Sequence, residues 1–327
     1  MHLTNEHLTL QPSKAILAAI LFLLIILATL PTIFVGLAQP DSVSSMAMNY
    51  LENSYNPILH LIPETKNSET YWMVSDNLLA SYALRNYNQT MSNEINDTLK
   101  AFSACYNLPL DARGIMISYK HEALIGEILP SQFHAAQNYS LLNSTHYSLY
   151  TEVDNGTLMD DWKDYADLLA LRGISDCNEG NTSASFDSYN LMMEKWDGKG
   201  FADSVFYKSS VYSTYKLGLA IILSNKLGIS NSSVNDQMLG VIEACQVKEG
   251  DEIGGIRTDY TINGTSIVPQ GQSNTETTSI IAIANPRIAS SIPEFPTALV
   301  ISPVVMIVAA TALAFVRWKR AKKSSII

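Results

Sequence analysis

The stretch Asp160–Asp203, DDWKDYADLLALRGISDCNEGNTSASFDSYNLMMEKWDGKGFAD, sets the pattern for most of the chain. Its acidic start and apolar spacing predict an amphipathic helix over Asp161–Leu171. A polar loop then leads to a second helix over Ala184–Lys195, which closes at the Gly-rich turn Trp196-Asp197-Gly198-Lys199-Gly200-Phe201. A helical hairpin of this kind cannot bury its more apolar helix alone, so copies of it are expected to stack.

Weaker copies flank it. Downstream, Tyr212–Leu227 is the most apolar helical run, closed by Gly228, and Ser232–Cys245 is its partner before the loop EGDEIGGIRTDY. Asn274 caps a last apolar helix reaching Ala284, with Glu276 in its first turn, where the helix dipole favours an acid. Upstream, Ser75 or Asp76 is the expected N-cap of a helix carrying Leu78, Leu79, Tyr82 and Ala83, followed by a second over Met91–Cys105. A shorter helix over Ser42–Ser54 stops at Tyr55-Asn56-Pro57. Between Gly114 and Val153 the runs IMISY, ALIGEIL and HYSLYTEV predict two to four strands. The expected fold is mainly α: a toroid or open arc of about four α/α hairpins, apolar helices inward, with a small antiparallel β insertion at about 114–156.

Two apolar runs flank this domain, which spans 41–291. Ala15–Ala38 is uncharged and long enough to cross a bilayer, so residues 1–40 are a signal peptide or a signal anchor. A linker over 292–297 precedes a second span at 298–316, and Arg317, Lys319, Arg320, Lys322 and Lys323 follow it. That basic cluster places the tail 317–327 in the cytoplasm and the main domain outside the cell membrane.

The formal net charge of −10 understates the acidity of the outer part, where 30 acidic residues stand against 15 basic ones. Such a surface excludes nucleic acid as a partner. Cys105, Cys177 and Cys245 allow one disulfide, or are small packing residues at helix ends. Sequons at Asn88, Asn96, Asn138, Asn143, Asn155, Asn181, Asn231 and Asn263 all fall between the apolar runs, the arrangement expected of a glycoprotein.

The returns KWDGKGFAD and KEGDEIGGIRTDY resemble those of α/α-toroid proteins, which include terpenoid cyclase and prenyltransferase-like domains and six-hairpin glycosidases. The resemblance extends over roughly Ser42–Ala284 and implies the fold more than an activity. Pro293-Glu294-Phe295, with the apolar run and basic end after it, resembles the C-terminal sorting signal of archaeal surface proteins. That likeness implies processing by an archaeosortase, which exchanges the tail for a lipid anchor; the alternative is a plain membrane helix.

Asp160, Asp161 and Asp164 spell DDxxD, the metal-diphosphate motif of isoprenoid enzymes with a related fold, or a helix start favoured by its dipole. In a toroid the inner helix starts share one mouth. That arrangement gathers Asp76, Asp164 or Asp167, and Glu276 as candidate catalytic acids, with Trp72, Trp196, Tyr215 and Tyr260 as candidate substrate-binding aromatics. Carboxylate pairs beside aromatic rings suit glycan binding or cleavage. His60, His121, His134 and His146 have no metal-ligand spacing, and those in the β insertion are expected to be exposed. No metal or cofactor is implied. The competing expectation is a non-catalytic structural or adhesion protein of the envelope. Mass spectrometry of the mature ends tests the sorting reading: a C-terminus upstream of Ala298 is expected, and one still at Ile327 would leave the plain membrane helix.

Overall fold

The computed structural model describes residues 43–68, 71–106, 120–143, 148–229 and 232–284. Both apolar flanks, Pro293, Glu294 and Phe295, the IMISY run, His146 and Asn231 lie outside them. The described residues belong to one compact unit holding nine α-helices and two three-stranded sheets. The chain is therefore mixed α/β, and the first correction to the sequence reading is the extent of its β structure.

Four helices carry the core. They are α2 (Val74–Leu84), α4 (Ala166–Glu179), α7 (Thr214–Lys226) and α9 (Thr275–Ala284), each with most of its residues buried. Around them lie α1 (Val43–Ser54), α3 (Gln89–Tyr106), α5 (Thr182–Met193) and α8 (Ser232–Cys245). The packing pairs are α2 with α3, α4 with α5, α7 with α8, and α9 with α1. Contacts among the inner helices run from α2 to α9, from α9 to α7 and from α7 to α4. Between α4 and α2 stands a buried 3-10 turn, His121–Ile125, which touches both. The four apolar helices thus form a row of contacts, and the 3-10 turn bridges its two ends. Burial of Ile280 and Ile281 in α9 alone stabilises it by about 1.5–3 kcal/mol per side chain.

Extended chain leads into three inner helices. Strand β1 (Tyr71–Met73) runs directly into α2, and β4 (Tyr212–Ser213) into α7. Hairpin β5 (Arg257–Asn263) and β6 (Ser266–Ser273) leads to α9, where Asn274 Oδ1 accepts from Thr277 N–H at 2.8 Å as a cap. In α2 the extended Met73 is the N-cap residue, so Ser75 and Asp76 lie inside the first turn and not ahead of it. The β insertion is a hairpin of β2 (His134–Asn143) and β3 (Ser148–Leu158), joined by β1 in parallel to give the order β1-β3-β2. ALIGEIL is no strand; it contributes to the 3-10 turn, bounded by left-handed Lys120 and Gly126. Hairpin β5–β6, absent from the sequence expectations, turns at Gly264-Thr265 between the paired Asn263 and Ser266, with Gly264 at φ of 64°.

The opening stretch folds differently from expectation at its start. Trp162–Asp164 is a single 3-10 turn, Tyr165 is extended, and α4 begins only at Ala166. The cause lies 37 residues away: Asp203 Oδ2 accepts from Ala166 N–H at 3.0 Å. Its Oδ1 caps the short helix α6 (Ser204–Ser209) through Val205 and Phe206 N–H. Lys216 of α7 closes the arrangement, with Nζ 2.5 Å from Asp203 Oδ2 and both side chains almost fully buried. Helix α4 then runs through Gly173, where a Cβ would crowd Leu223 of α7, and ends at Gly180 with φ of 85°.

Removing one member of such a pair leaves an uncompensated buried charge, which costs roughly 3–5 kcal/mol. Asp203→Ala is therefore expected to lower unfolding stability by about that amount in urea titration. A loss under about 1 kcal/mol would show that the pair does not hold α4, α6 and α7 together.

Candidate functional site

Each of the four inner helices brings a polar side chain from its first turn to the centre of this arrangement. These are Asp76 of α2, Asp167 of α4, Tyr215 and Lys216 of α7, and Glu276 of α9. Acids at helix N-termini are favoured by the macrodipole, typically by 0.3–1 kcal/mol at the surface, so their presence alone signifies little. Their burial and mutual contacts are more informative.

Glu276 Oε1 lies 2.8 Å from His121 Nε2, an ion pair of limited exposure. His121 is brought there by the 3-10 turn, which α4 grips through Asn178 Nδ2 donating to Ala123 and Glu127 carbonyls at 2.9 Å. On the far side Lys120 ties the turn to the β2–β3 hairpin, donating to His134 O and to Asp154 Oδ1. Glu64 is fixed by its backbone: its carbonyl accepts from Thr275 N–H at 2.8 Å and its N–H donates to Tyr71 O at 3.1 Å. The same loop is clamped to α2 by Asn77, which bonds both the N–H and the carbonyl of Ile62. Glu152 and Tyr150 lie on one face of β3 by the alternation of the strand. The ring of Tyr150 is 4.8 Å from that of Tyr71 on β1.

Asp76 is only 3 % exposed. Its Oδ1 accepts from Ser75 Oγ at 3.2 Å, whereas its Oδ2 has no hydrogen-bond partner. Burial, reinforced by the charges of Glu276 and Glu64, holds its carboxyl well above the ordinary range, and His121 opposes the shift only in part. Glu64 is raised by burial and then by Glu276 and Glu152. Glu152 is raised by burial and Glu276 against His121 and Lys120. Burial disfavours charge on His121 as well, but the Glu276 hydrogen bond and charge, with Glu152 and Asp76, outweigh it and lift the imidazole to about 9. Beneath them Glu122, 7 % exposed, is pushed by burial to about 7. On the α7 side Tyr215 O–H donates to Asp167 Oδ2 at 2.8 Å, and Lys216 Nζ is 3.7 Å from Asp167 Oδ1. Two oppositely organised halves result. In one, Asp76 Oδ2 and Glu122 Oε2 have no hydrogen-bond partner; in the other, Tyr215 bonds Asp167 Oδ2, while Asp167 Oδ1 has only the longer ion pair with Lys216.

Of the sequence candidates, Asp76, Tyr215 and Glu276 meet at this centre. Asp164 does not: it ends the 3-10 turn exposed, and Asp167 takes the place on α4. Asp160 and Asp161 are exposed too, and with Asp164 outside a regular α-helix the DDxxD residues share no helix face. Trp72 is in the core at 3 % exposure and lines an apolar cavity of about 150 Å³ with Phe102, Leu142 and Leu149. Tyr260 is fully buried, donating its O–H to Lys199 O, and Trp196 packs edge-on against Phe201 in the WDGKGF turn. The WDGKGF turn packs on Tyr212 and Tyr260, with Tyr212 O–H donating to Asp197 Oδ2 at 2.6 Å.

His121, Glu64, Glu122, Glu152 and Tyr150 escaped the sequence reading, and His121 was expected to be exposed where it is 8 % so. Only Glu152 carried a local signal, as a charge in register with Tyr150 on a strand face. Among the described residues no group of three or more His, Cys, Asp or Glu side chains is arranged to hold a metal ion. Also among them, no helix is long and apolar enough to cross a membrane. Comparison of the chain with protein families, curated proteins and solved structures returns no match.

The raised carboxyls fix the sign of the pH dependence. A folded state that keeps a proton longer than the unfolded chain loses stability as pH rises between the two pKa values. For Glu122 that window runs from its ordinary 4.5 to about 7. For His121 the stabilisation is full below its ordinary 6.5 and is lost as pH rises through about 9. The thermal midpoint is expected to fall between about pH 5 and pH 9. Glu122→Gln should flatten the lower part of that fall and His121→Gln the upper. A midpoint that climbs over this range in calorimetry would contradict the charge arrangement.

Proposed function

We propose that the chain is a membrane-anchored cell-surface protein whose outward-facing domain is a toroid of four α/α hairpins, acting on glycans at its centre. The row of inner-helix contacts, its ends bridged by the 3-10 turn His121–Ile125, supports the toroid, with α1 serving as the outer partner of α9. The unpartnered, buried carboxyl of Asp76 beside the Glu276–His121 pair carries the functional reading. Burial and the charges of Glu276 and Glu64 raise the proton affinity of Asp76, the direction a general acid needs. Glu276, bonded to the imidazolium of His121, is the partner carboxylate that activates water or attacks. The half-buried Tyr71, Tyr150 and Tyr215 take the part that Trp72, Trp196 and Tyr260 were expected to play beside a sugar.

A non-catalytic structural or adhesion role is the second reading, and one observation favours it: the tryptophan and tyrosine expected to form an exposed sugar platform, Trp72 and Tyr260, are core residues. The two readings separate on turnover. General acid–base groups contribute roughly 10²–10⁴-fold to rate. Asp76→Asn and Glu276→Gln are each expected to cut release of reducing ends from envelope glycans by about 100-fold or more, with the circular dichroism unchanged. Asp164→Asn should leave turnover intact. Full activity in both Asp76 and Glu276 variants would remove their roles, and absence of turnover in the unaltered protein would favour the structural reading.

A further inference from the structure

The centre gathers more carboxyl groups than it has cations, among the described residues, to pair with them. Glu64, Asp76, Glu152 and Glu276 act on one another electrostatically, and among the described residues His121 is the cation bonded to one of their side chains, Glu276. Lys120 contributes to Glu152 from a distance but is engaged by Asp154 and His134 O, and Lys216 is engaged by Asp203 and Asp167. A cluster of acids on a protein surface is ordinarily satisfied by water. Here Asp76 is 3 % exposed and one of its oxygens has no partner, although its nearest charges are the Glu276, Glu64 and His121 groups that line the cluster. A buried carboxyl oxygen left without a partner is destabilising, so a donor supplied from outside would relieve it.

The character of that donor follows from what surrounds it. The acids are not arranged to close round a metal ion. Their neighbours are instead the half-buried rings of Tyr71, Tyr150 and Tyr215, the first two in contact with each other. Carboxylates together with aromatic rings suit a larger, softly held cation, since an ammonium bonds to the former and is drawn to the face of the latter. Glu64, Glu152 and Glu276 are only partly buried, which leaves the cluster accessible from solvent.

We propose that the carboxylates of Glu64, Asp76, Glu152 and Glu276 receive a ligand bearing a primary ammonium group, borne by an amino sugar or by a free polyamine. The inference rests on the reading of this centre as the ligand site, but not on its being hydrolytic. Binding of such a cation lowers the proton affinity of the carboxyls around it, so protons are released on binding. An N-acetylated sugar has neither the charge nor this effect.

Titration calorimetry of the full chain tests this with three probes, glucosamine tetramer, its N-acetylated counterpart and spermidine, each in two buffers of different ionisation enthalpy. At least one amine is expected to bind ten times or more tightly than the N-acetylated tetramer, and spermidine, whose ammonium groups stay charged at neutral pH, to release protons that the acetylated probe does not. The tighter amine tells the sugar source from the polyamine source. Glu64→Gln and Glu152→Gln, both at partly buried positions, should each weaken amine binding at least fivefold while the thermal midpoint holds or rises. Equal binding of charged and acetylated tetramers overturns the proposal, as do failure of both amines to bind and amine affinity unchanged in both variants. Amine binding without any glycan turnover would instead sink the hydrolytic reading alone. Turnover of neutral glycans without amine binding would sink this one alone.

Discussion

Asp203 and Lys216 form the interaction on which the arrangement of the inner helices depends. Burying two full charges costs several kcal/mol per ion unless the remaining lone pairs and protons are satisfied. Asp203 meets that condition with four donors: Lys216, Ala166 N–H, and the two N–H groups at the head of α6. One carboxylate thereby sets where α4 begins, where α6 begins and how α7 sits beside them. Lys216 extends the effect inward through Asp167, which in turn holds the hydroxyl of Tyr215. The ordered half of the central site is thus a continuation of the staple that orders the helices.

The other half is governed by an imbalance that the fold tolerates. Helices α2, α4 and α9 each bring the positive end of a macrodipole to the same region, equivalent to roughly half a charge apiece. That field, with His121, makes room for several acids but leaves Asp76, Glu64 and Glu152 raised by burial and by one another. Sites that perform acid–base chemistry or capture cations are where strongly perturbed titrating groups collect. Here Asp76, Glu64, Glu152 and His121 gather beside the starts of the inner helices.

The helices were largely legible because their signals are local. Ser232–Cys245 and the Asn274 cap are found where periodicity and capping placed them. What failed had a distant cause. Acid at the start of the Asp160 stretch suggested a helix beginning at Asp161, yet Asp203, bonded to Ala166, moved the start and so exchanged Asp164 for Asp167. His121 looked like an exposed insertion residue because nothing nearby in sequence shows that α2 and α4 close over it. Trp72 and Tyr260 were assigned by residue type, which cannot distinguish a sugar platform from a core. The β5–β6 hairpin did carry a local signal, Gly264 at the turn between two alternating runs.

The pairing of the first described helix with the last has a mechanical side. Ser44 Oγ donates to Ala282 O, so the head of α1 lies against the tail of α9, and the described chain enters and leaves its fold at neighbouring points. Any load carried through either end acts on that one edge. Glu276 lies eight residues before Ala284, about 12 Å along the α9 axis at the usual rise. Strain entering at the chain ends therefore meets the whole length of the innermost helix before it reaches the carboxylates, and the centre sits at the unloaded end of its own strut.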